Sequence, residues 1–169
     1  MIHPAVREMA TPVGVLRIYL LGDKPARLTL GEVGRPPVPC LLRPPRLVSE
    51  MEDALAVYFA GGAIDRALSL RLLGLFHPTP FQEAVYRRVI AIPRGETLSY
   101  REVAESAGHA GAARAVGNAL RDNPFPIFIP CHRVIRADGG LGGFGGREDI
   151  KAMLLAHEGI EVDRDLVRA

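Results

Sequence analysis

Two cysteines occur in this chain, Cys40 and Cys131, and their settings differ sharply. Cys131 ends the run Asn123-Pro124-Phe125-Pro126-Ile127-Phe128-Ile129-Pro130 and is followed at once by His132, Arg133, Val134 and Ile135. A lone cysteine is ordinarily an inert small hydrophobe. Here an apolar, proline-stiffened segment, read as a strand, delivers a thiol beside an imidazole, and polar groups at the end of such a run need partners. A neighbouring imidazole that takes the thiol proton leaves a nucleophilic thiolate. A third group should orient that histidine, and Glu158 in Leu154-Leu155-Ala156-His157-Glu158-Gly159 is a candidate, although spacing alone does not bring it close. Cys40 lies in the stretch Pro36-Pro37-Val38-Pro39 and reads as a bystander. No C-x-x-C or H-x-x-x-H spacing accompanies the thiols, so no metal site is expected. Without an export signal they should stay reduced.

A second segment with chemical interest follows, Gly139-Gly140-Leu141-Gly142-Gly143-Phe144-Gly145-Gly146. Such a loop brings backbone N–H groups against a ligand or is merely flexible. It lacks the G-x-x-x-x-G-K-[ST] order of a phosphate loop, so no nucleotide cofactor is implied.

The elements that must position these residues read as follows. Residues 11–33 look like short strands, with Val15 to Leu20 apolar, a turn at Gly22-Asp23-Lys24-Pro25, and alternation from Ala26 to Val33. The Pro- and Arg-rich stretch from Gly34 to Pro45 reads as a loop or irregular strand. Ser49 and Glu52 form a capping-box pattern before a helix with Leu55, Ala56 and Phe59 on its apolar stripe, ended by Gly61-Gly62. A domain boundary is expected between residues 76 and 77. Thr79, Pro80 and Gln82 then open a helix carrying Phe81, Val85, Val89 and Ile90 and stopping before Pro93. Ser99 and Glu102 cap a short helix from Tyr100 to Ser106, Gly108 to Gly111 make a turn, and Ala112 to Arg121 form another helix. Two short helices across a Gly-containing turn fit a helix-turn-helix, though an ordinary αα-hairpin fits as well. Val116, Ala119 and Leu120 face a core, while Ala113, Arg114, Gly117 and Arg121 face outward. The class expected is α/β in the α+β sense: a small β-rich N-terminal domain with a helix, then a mainly helical C-terminal domain.

Bulk properties set limits. Of the 169 residues 48% are hydrophobic and 24% charged, enough for a packed core and against disorder. No apolar run approaches the roughly 20 residues that span a bilayer, and Met1 to Ala10 does not read as a signal peptide, so a cytoplasmic protein is expected. The net charge of +2 permits nucleic-acid binding without establishing it. Lys24 and Lys151 are the only lysines and every other basic side chain is arginine. Arginines, 14 prolines and few amides fit a thermophile, and a GC-rich genome produces the same bias.

Pro130-Cys131-His132-Arg133-Val134 resembles the active-site signature of the O6-alkylguanine-DNA alkyltransferases. Phe81-Gln82, Ile92-Pro93-Arg94-Gly95-Glu96-Thr97, Ser99-Tyr100, Arg114-Ala115-Val116-Gly117, Asn123-Pro124 and Leu154 to Gly159 also match in order and spacing, over nearly all of residues 79–160. The first 75 or so residues resemble the family's variable N-terminal domain loosely, in a β-rich start and a Tyr-Phe-Ala-Gly helix ending. The resemblance implies that Cys131 accepts an alkyl group, that His132 backed by Glu158 generates its thiolate through a water, and that Asn123 ties the active-site loop to the recognition helix. It further implies that Tyr100 hands a proton to the departing guanine and crowds the phosphate, and that Arg114 fills the space left by a flipped nucleotide. Ala113, Ala115 and Gly117 would lie against DNA. The Val134 carbonyl and Gly145 N–H would read the base, with Pro126 and Phe144 walling its pocket. The implied partner is double-stranded DNA containing O6-alkylguanine, met by a monomer, with no cofactor and no membrane. Cytoplasmic location becomes nucleoid-associated in a prokaryote.

This chain departs from many relatives at Phe144, where tyrosine is usual, at Arg147, where glycine is usual, and at Tyr86, where tryptophan is usual. The zinc of some relatives is not expected with one N-terminal cysteine. A non-catalytic lesion sensor would lack Cys131. A regulator would read the major groove with polar side chains, which Ala113, Ala115 and Gly117 do not offer. A Cys-His hydrolase would need an oxyanion hole and turnover.

Overall fold

The computed structural model describes residues 5–31, 44–163 and 165–168. Cys40 and most of the Pro- and Arg-rich stretch fall outside the described residues. The chain divides into two compact units, Met1–Asp65 and Arg66–Ala169.

In the first unit, β1 (Ala5–Thr11), β2 (Gly14–Leu21) and β3 (Lys24–Thr29) form an antiparallel sheet in sequential order. The alternation of β2 puts Leu16, Ile18 and Leu20 on the buried face. Strand β1 begins earlier than the expected strands do, because its charged residues break the apolar signal: Arg7 pairs with Glu52 at 2.7 Å, and Glu8 with Arg17 of β2 at 2.6 Å. Helix α1 (Arg46–Phe59) packs against β3 through a unit whose core includes its Val48, Met51, Leu55 and Tyr58. The capping box expected at Ser49 and Glu52 does not form. Pro45 is the N-cap, so Ser49 lies inside the helix, and the Glu52 carboxylate is engaged by Arg7. The apolar stripe runs through Val48, Met51, Leu55 and Tyr58 at i, i+3, i+7 and i+10, which leaves Ala56 on the exposed face and Phe59 half-buried.

The second unit begins at α2 (Arg66–Leu73), which the sequence reading did not distinguish and which shifts the division upstream of 76/77. Leu73 and Phe76 pack with Val85, Tyr86 and Val89 of α3 (Pro80–Ile90), so α2 shares this unit's core. Thr79 caps α3, with Gln82 closing the box. Ser99 and Glu102 do the same for α4 (Tyr100–Ser106). Helix α5 (Ala113–Arg121) buries Val116, Ala119 and Leu120 against α3 and α4, and the Tyr86 hydroxyl donates to the Ala119 carbonyl at 2.7 Å inside that core. The α4–turn–α5 pair is the expected helix-turn-helix. Short parallel strands β4 (Leu98–Ser99) and β5 (Val134–Ile135) join the start of α4 to the cysteine segment. Helix α6 (Glu148–His157) follows the glycine loop, and a hairpin of β6 (Glu161–Asp163) and β7 (Leu166–Arg168), not foreseen from sequence, ends the chain. Among the described residues no helix is long and apolar enough to cross a membrane.

Candidate active site

The segment before Cys131 is a tight loop and not the strand expected from its apolar content. Pro124, Pro126 and Pro130 lack the N–H donors that a ladder needs, and Ile127 adopts φ 75°. The chain therefore folds back, with the Ile129 N–H donating to Phe125 O at 2.8 Å and the Cys131 N–H to Ile129 O at 2.7 Å. Cys131–Arg133 then form one 3-10 turn packed against α6.

Asn123, just past the end of α5, holds this loop. Its amide nitrogen donates to the Ile129 carbonyl at 2.8 Å and lies 3.1 Å from Cys131 Sγ. Its side-chain oxygen accepts from the Phe125 N–H at 3.0 Å. Burial pushes the Cys131 thiol up from its ordinary range, while the Asn123 amide and the charge of Lys151 pull the other way.

His132 is fully buried, with Nε2 2.8 Å from Glu158 Oε1. The same carboxylate receives Arg133 through Nε on Oε2 and Nη2 on Oε1, both at 2.8 Å. The Gly95 N–H adds a donor at 3.3 Å. Burial alone would raise the Glu158 pKa, but the hydrogen bonds and charges of His132 and Arg133 hold it far below the usual carboxylate range. Burial pushes His132 down, against the pull of Glu158. The imidazole is thus neutral beside an ionised carboxylate. Nε2–H must then be the donor to Glu158, which makes Nδ1 the lone-pair nitrogen. That Nδ1 is buried and has no hydrogen-bond partner among the described residues. A neutral imidazole with a free lone pair, on the residue that follows the cysteine, is the type of group that can act as a general base.

Tyr100 opens α4 directly after the Ser99 cap, and β4–β5 pairing aligns Leu98 with Val134 and Ser99 with Ile135. Burial first, then the nearby Cys131 and Glu148, raise its phenol pKa, so it keeps its proton. The glycine loop runs against the Cε2–Oη edge of the ring. A Cβ built on Gly142 would lie 2.8 Å from Tyr100 Cε2 and Oη, and Gly142 has φ 71°. Glycine is needed there for both space and conformation. Phe144 packs beside the core that holds Cys131, its N–H bound to the Glu148 carboxylate at 2.9 Å. Pro126 is half-buried and bridges to Ile129, whereas Gly145 is exposed.

On α5, Arg114 and Ala115 are exposed, with Ala113 and Gly117 half-buried. Gly117 turns toward Tyr100: a Cβ there would meet the ring at 3.7 Å, an ordinary contact. Arg147 stands at the N-cap of α6 and pairs with Asp149 at 3.1 Å.

Three contributors had no role assigned from sequence. Arg133 neutralises Glu158 and also donates to the Ile92 carbonyl at 2.6 Å. The Ile92-Pro93-Arg94-Gly95 stretch acts as a bracket, since Arg94 donates to the His157 carbonyl at 2.6 Å. Lys151 is fully buried and donates to the Val134 carbonyl at 2.6 Å. A signal for it was present: Lys151, Leu154, Leu155 and Glu158 follow i, i+3, i+4, i+7 spacing, which puts a lysine on the buried stripe of α6.

Known proteins resemble the chain along nearly its whole length. Residues 80–160 match the family described as 6-O-methylguanine DNA methyltransferase, DNA binding domain. The methylated-DNA–protein-cysteine methyltransferase of Mycolicibacterium paratuberculosis is 41% identical over 155 residues, covering 90% of each chain. That of Mycobacterium bovis is 40% identical over 167 residues, covering 98% of each. The crystal structure of the Mycobacterium tuberculosis O6-methylguanine methyltransferase superposes with a TM-score of 0.71 at 35% identity, over 92% of this chain and 93% of that one. A structure of the M. tuberculosis protein in complex with DNA gives 0.68 at 34% identity, over 91% and 92%. With a buried cysteine followed directly by a buried histidine–glutamate pair and its relatives matched along nearly the whole length, the chain belongs to the methylated-DNA–protein-cysteine methyltransferase family.

Proposed function

We propose that the protein repairs DNA by moving the alkyl group of O6-alkylguanine onto Cys131, once per molecule. The observation that carries this is the neutral His132, with Nε2 committed to an ionised Glu158 and Nδ1 unengaged, next to a cysteine held by Asn123. The thiol proton passes to Nδ1 through a water. The thiolate sulfur then attacks the alkyl carbon, forming an S–C bond as the C–O6 bond breaks, and the electron pair of that bond leaves with guanine. Tyr100 supplies the proton that neutralises the departing base and recovers one from His132 through solvent. The thiol proton thus ends, in net terms, on guanine. A soft thiolate suits displacement at carbon, and protonation makes a better leaving group. The thioether is stable, so the acceptor is consumed.

An alkyl on O6 is out of reach inside stacked duplex DNA, so the nucleotide must be extruded at a cost of a few kcal/mol. Arg114, exposed on α5, offsets that cost by entering the stack while the small side chains beside it lie against the minor groove. The relative solved with DNA supports DNA as the partner. The Val134 carbonyl and Gly145 N–H read the flipped base between Pro126 and Phe144. The protein acts as a monomer, away from membranes, in the cytoplasm or nucleoid.

The test is intact mass after incubation with an O6-methylguanine oligonucleotide, with Cys131→Ala as control. A gain of about one methylene, mapped to Cys131, is expected. Lesion-selective binding with no mass change would make the protein a sensor and remove the roles of His132 and Glu158.

A further inference from the structure

Lys151 presents a physical problem that the reaction described above leaves unsolved. Its side chain is fully buried, yet among the described residues it forms no salt bridge, and its single hydrogen bond goes to the neutral Val134 carbonyl. A buried ammonium is costly unless an anion accompanies it. The Tyr100 ring, 5.8 Å from Nζ, supplies a weak π-face. The other groups whose charge reaches Lys151 are Cys131 and Glu148. Glu148 remains an anion whose charge reaches Lys151, but it is half-buried at the loop, accepts from the Phe144 N–H and forms no salt bridge with the lysine among the described residues. His132 is neutral, and Arg133 is already paired with Glu158. Helix α6 packs on the Cys131–Arg133 turn, and the lysine head lies against the Val134 carbonyl and the Tyr100 ring, both of which belong to or pack on the core cluster that holds Cys131.

We propose that Lys151 is the buried counter-cation of the Cys131 thiolate, a positioning residue whose charge holds the sulfur ionised after His132 has taken its proton. This rests on Cys131 being the alkyl acceptor. His132 moves the proton and Lys151 keeps the resulting anion from reclaiming it. Arg133 is paired with the Glu158 carboxylate, so among the described residues Lys151 is the buried cation of α6 that has only a neutral hydrogen-bond partner. The lysine also holds the Val134 carbonyl, at 2.6 Å. Burial lowers the Lys151 pKa from its ordinary value to about 8, against the raising influence of Cys131 and Glu148. Replacing an ionised sulfur by a neutral group lowers it further, because the charged form of the lysine loses its partner.

Lys24 and Lys151 are the only lysines, so selective 13C-lysine labelling yields two signals that can be titrated by NMR. In the Cys131→Ala protein, and in wild type methylated at Cys131, the Lys151 midpoint should fall by about one pH unit or more while Lys24 stays in place. An unchanged Lys151 midpoint in folded Cys131→Ala would overturn the pairing. The second arm is the near-isosteric Lys151→Met. The pH midpoint for carbamidomethylation of Cys131 by iodoacetamide, read by peptide mass, should rise by about one unit or more. An unchanged thiol midpoint in a folded variant overturns the proposal, and failure of that variant to fold leaves the titration of Cys131→Ala to decide it. If the oligonucleotide leaves Cys131 unmethylated, the acceptor reading fails on mass alone, and the lysine titration in Cys131→Ala still reads the pairing separately.

Discussion

Glu158 is ionised in a buried site because Arg133 grips both of its oxygens, which frees His132 to remain a neutral base. Were the imidazole its counter-ion instead, it would be protonated and unable to accept the thiol proton. Arg133→Met should therefore act on stability and on chemistry together. Leaving the carboxylate buried without its arginine should cost about 3–5 kcal/mol, measurable by urea unfolding. The carboxylate would then draw a proton onto His132 and slow methyl transfer. A loss below about 1 kcal/mol would mean that solvent screens the pair, as for surface ion pairs, and the neutral-histidine account would fail with it. The sequence placed Arg133 beside Cys131 but carried no sign that its fork turned toward a residue on α6.

At the scale of elements, the site is assembled from pieces that start or stop beside it. The Ser99 cap puts Tyr100 in the first turn of α4, β4–β5 pairing sets that turn against the cysteine segment, and the glycine loop runs against the edge of the ring. Gly142→Ala tests that contact. Its methyl would sit at 2.8 Å from Tyr100 at φ 71°, so a stability loss of at least about 1 kcal/mol is expected, with slower methyl transfer as the ring is displaced. Wild-type stability and rate in that variant would show that the loop is not held against Tyr100. The capping boxes show where local sequence suffices. Thr79 with Gln82 and Ser99 with Glu102 close reciprocally, as their spacing implies. Ser49 with Glu52 has the same spacing and does not, because Pro45 starts the helix earlier and Arg7 takes the glutamate.

For the whole molecule, the proposed repair of duplex DNA separates two tasks that one substitution can distinguish. Arg114 is exposed on α5 and makes no part of the Cys131 network. Arg114→Ala should slow methyl transfer from duplex DNA far more than reaction with free O6-benzylguanine, measured by the fraction of alkylated protein over time. Equal slowing on both would remove the arginine from extrusion. What the sequence determined by itself was whatever depends on neighbours along the chain: the cysteine with its adjacent histidine, the helix starts at Thr79 and Ser99, and the buried stripe of α5. The apolar content of the proline-rich run before Cys131 points to a strand, but its missing donors forbid one, and strand β1 gives little apolar signal because its charges are paired across the unit. Only the tertiary structure decided which charges meet. Glu158 lies far along the chain from Ile92, Gly95 and Arg133, and Lys151 from Val134, yet each set shares one compartment. Ion pairing and burial depend on distance in space and on the exclusion of water, and neither is encoded in any short window of residues.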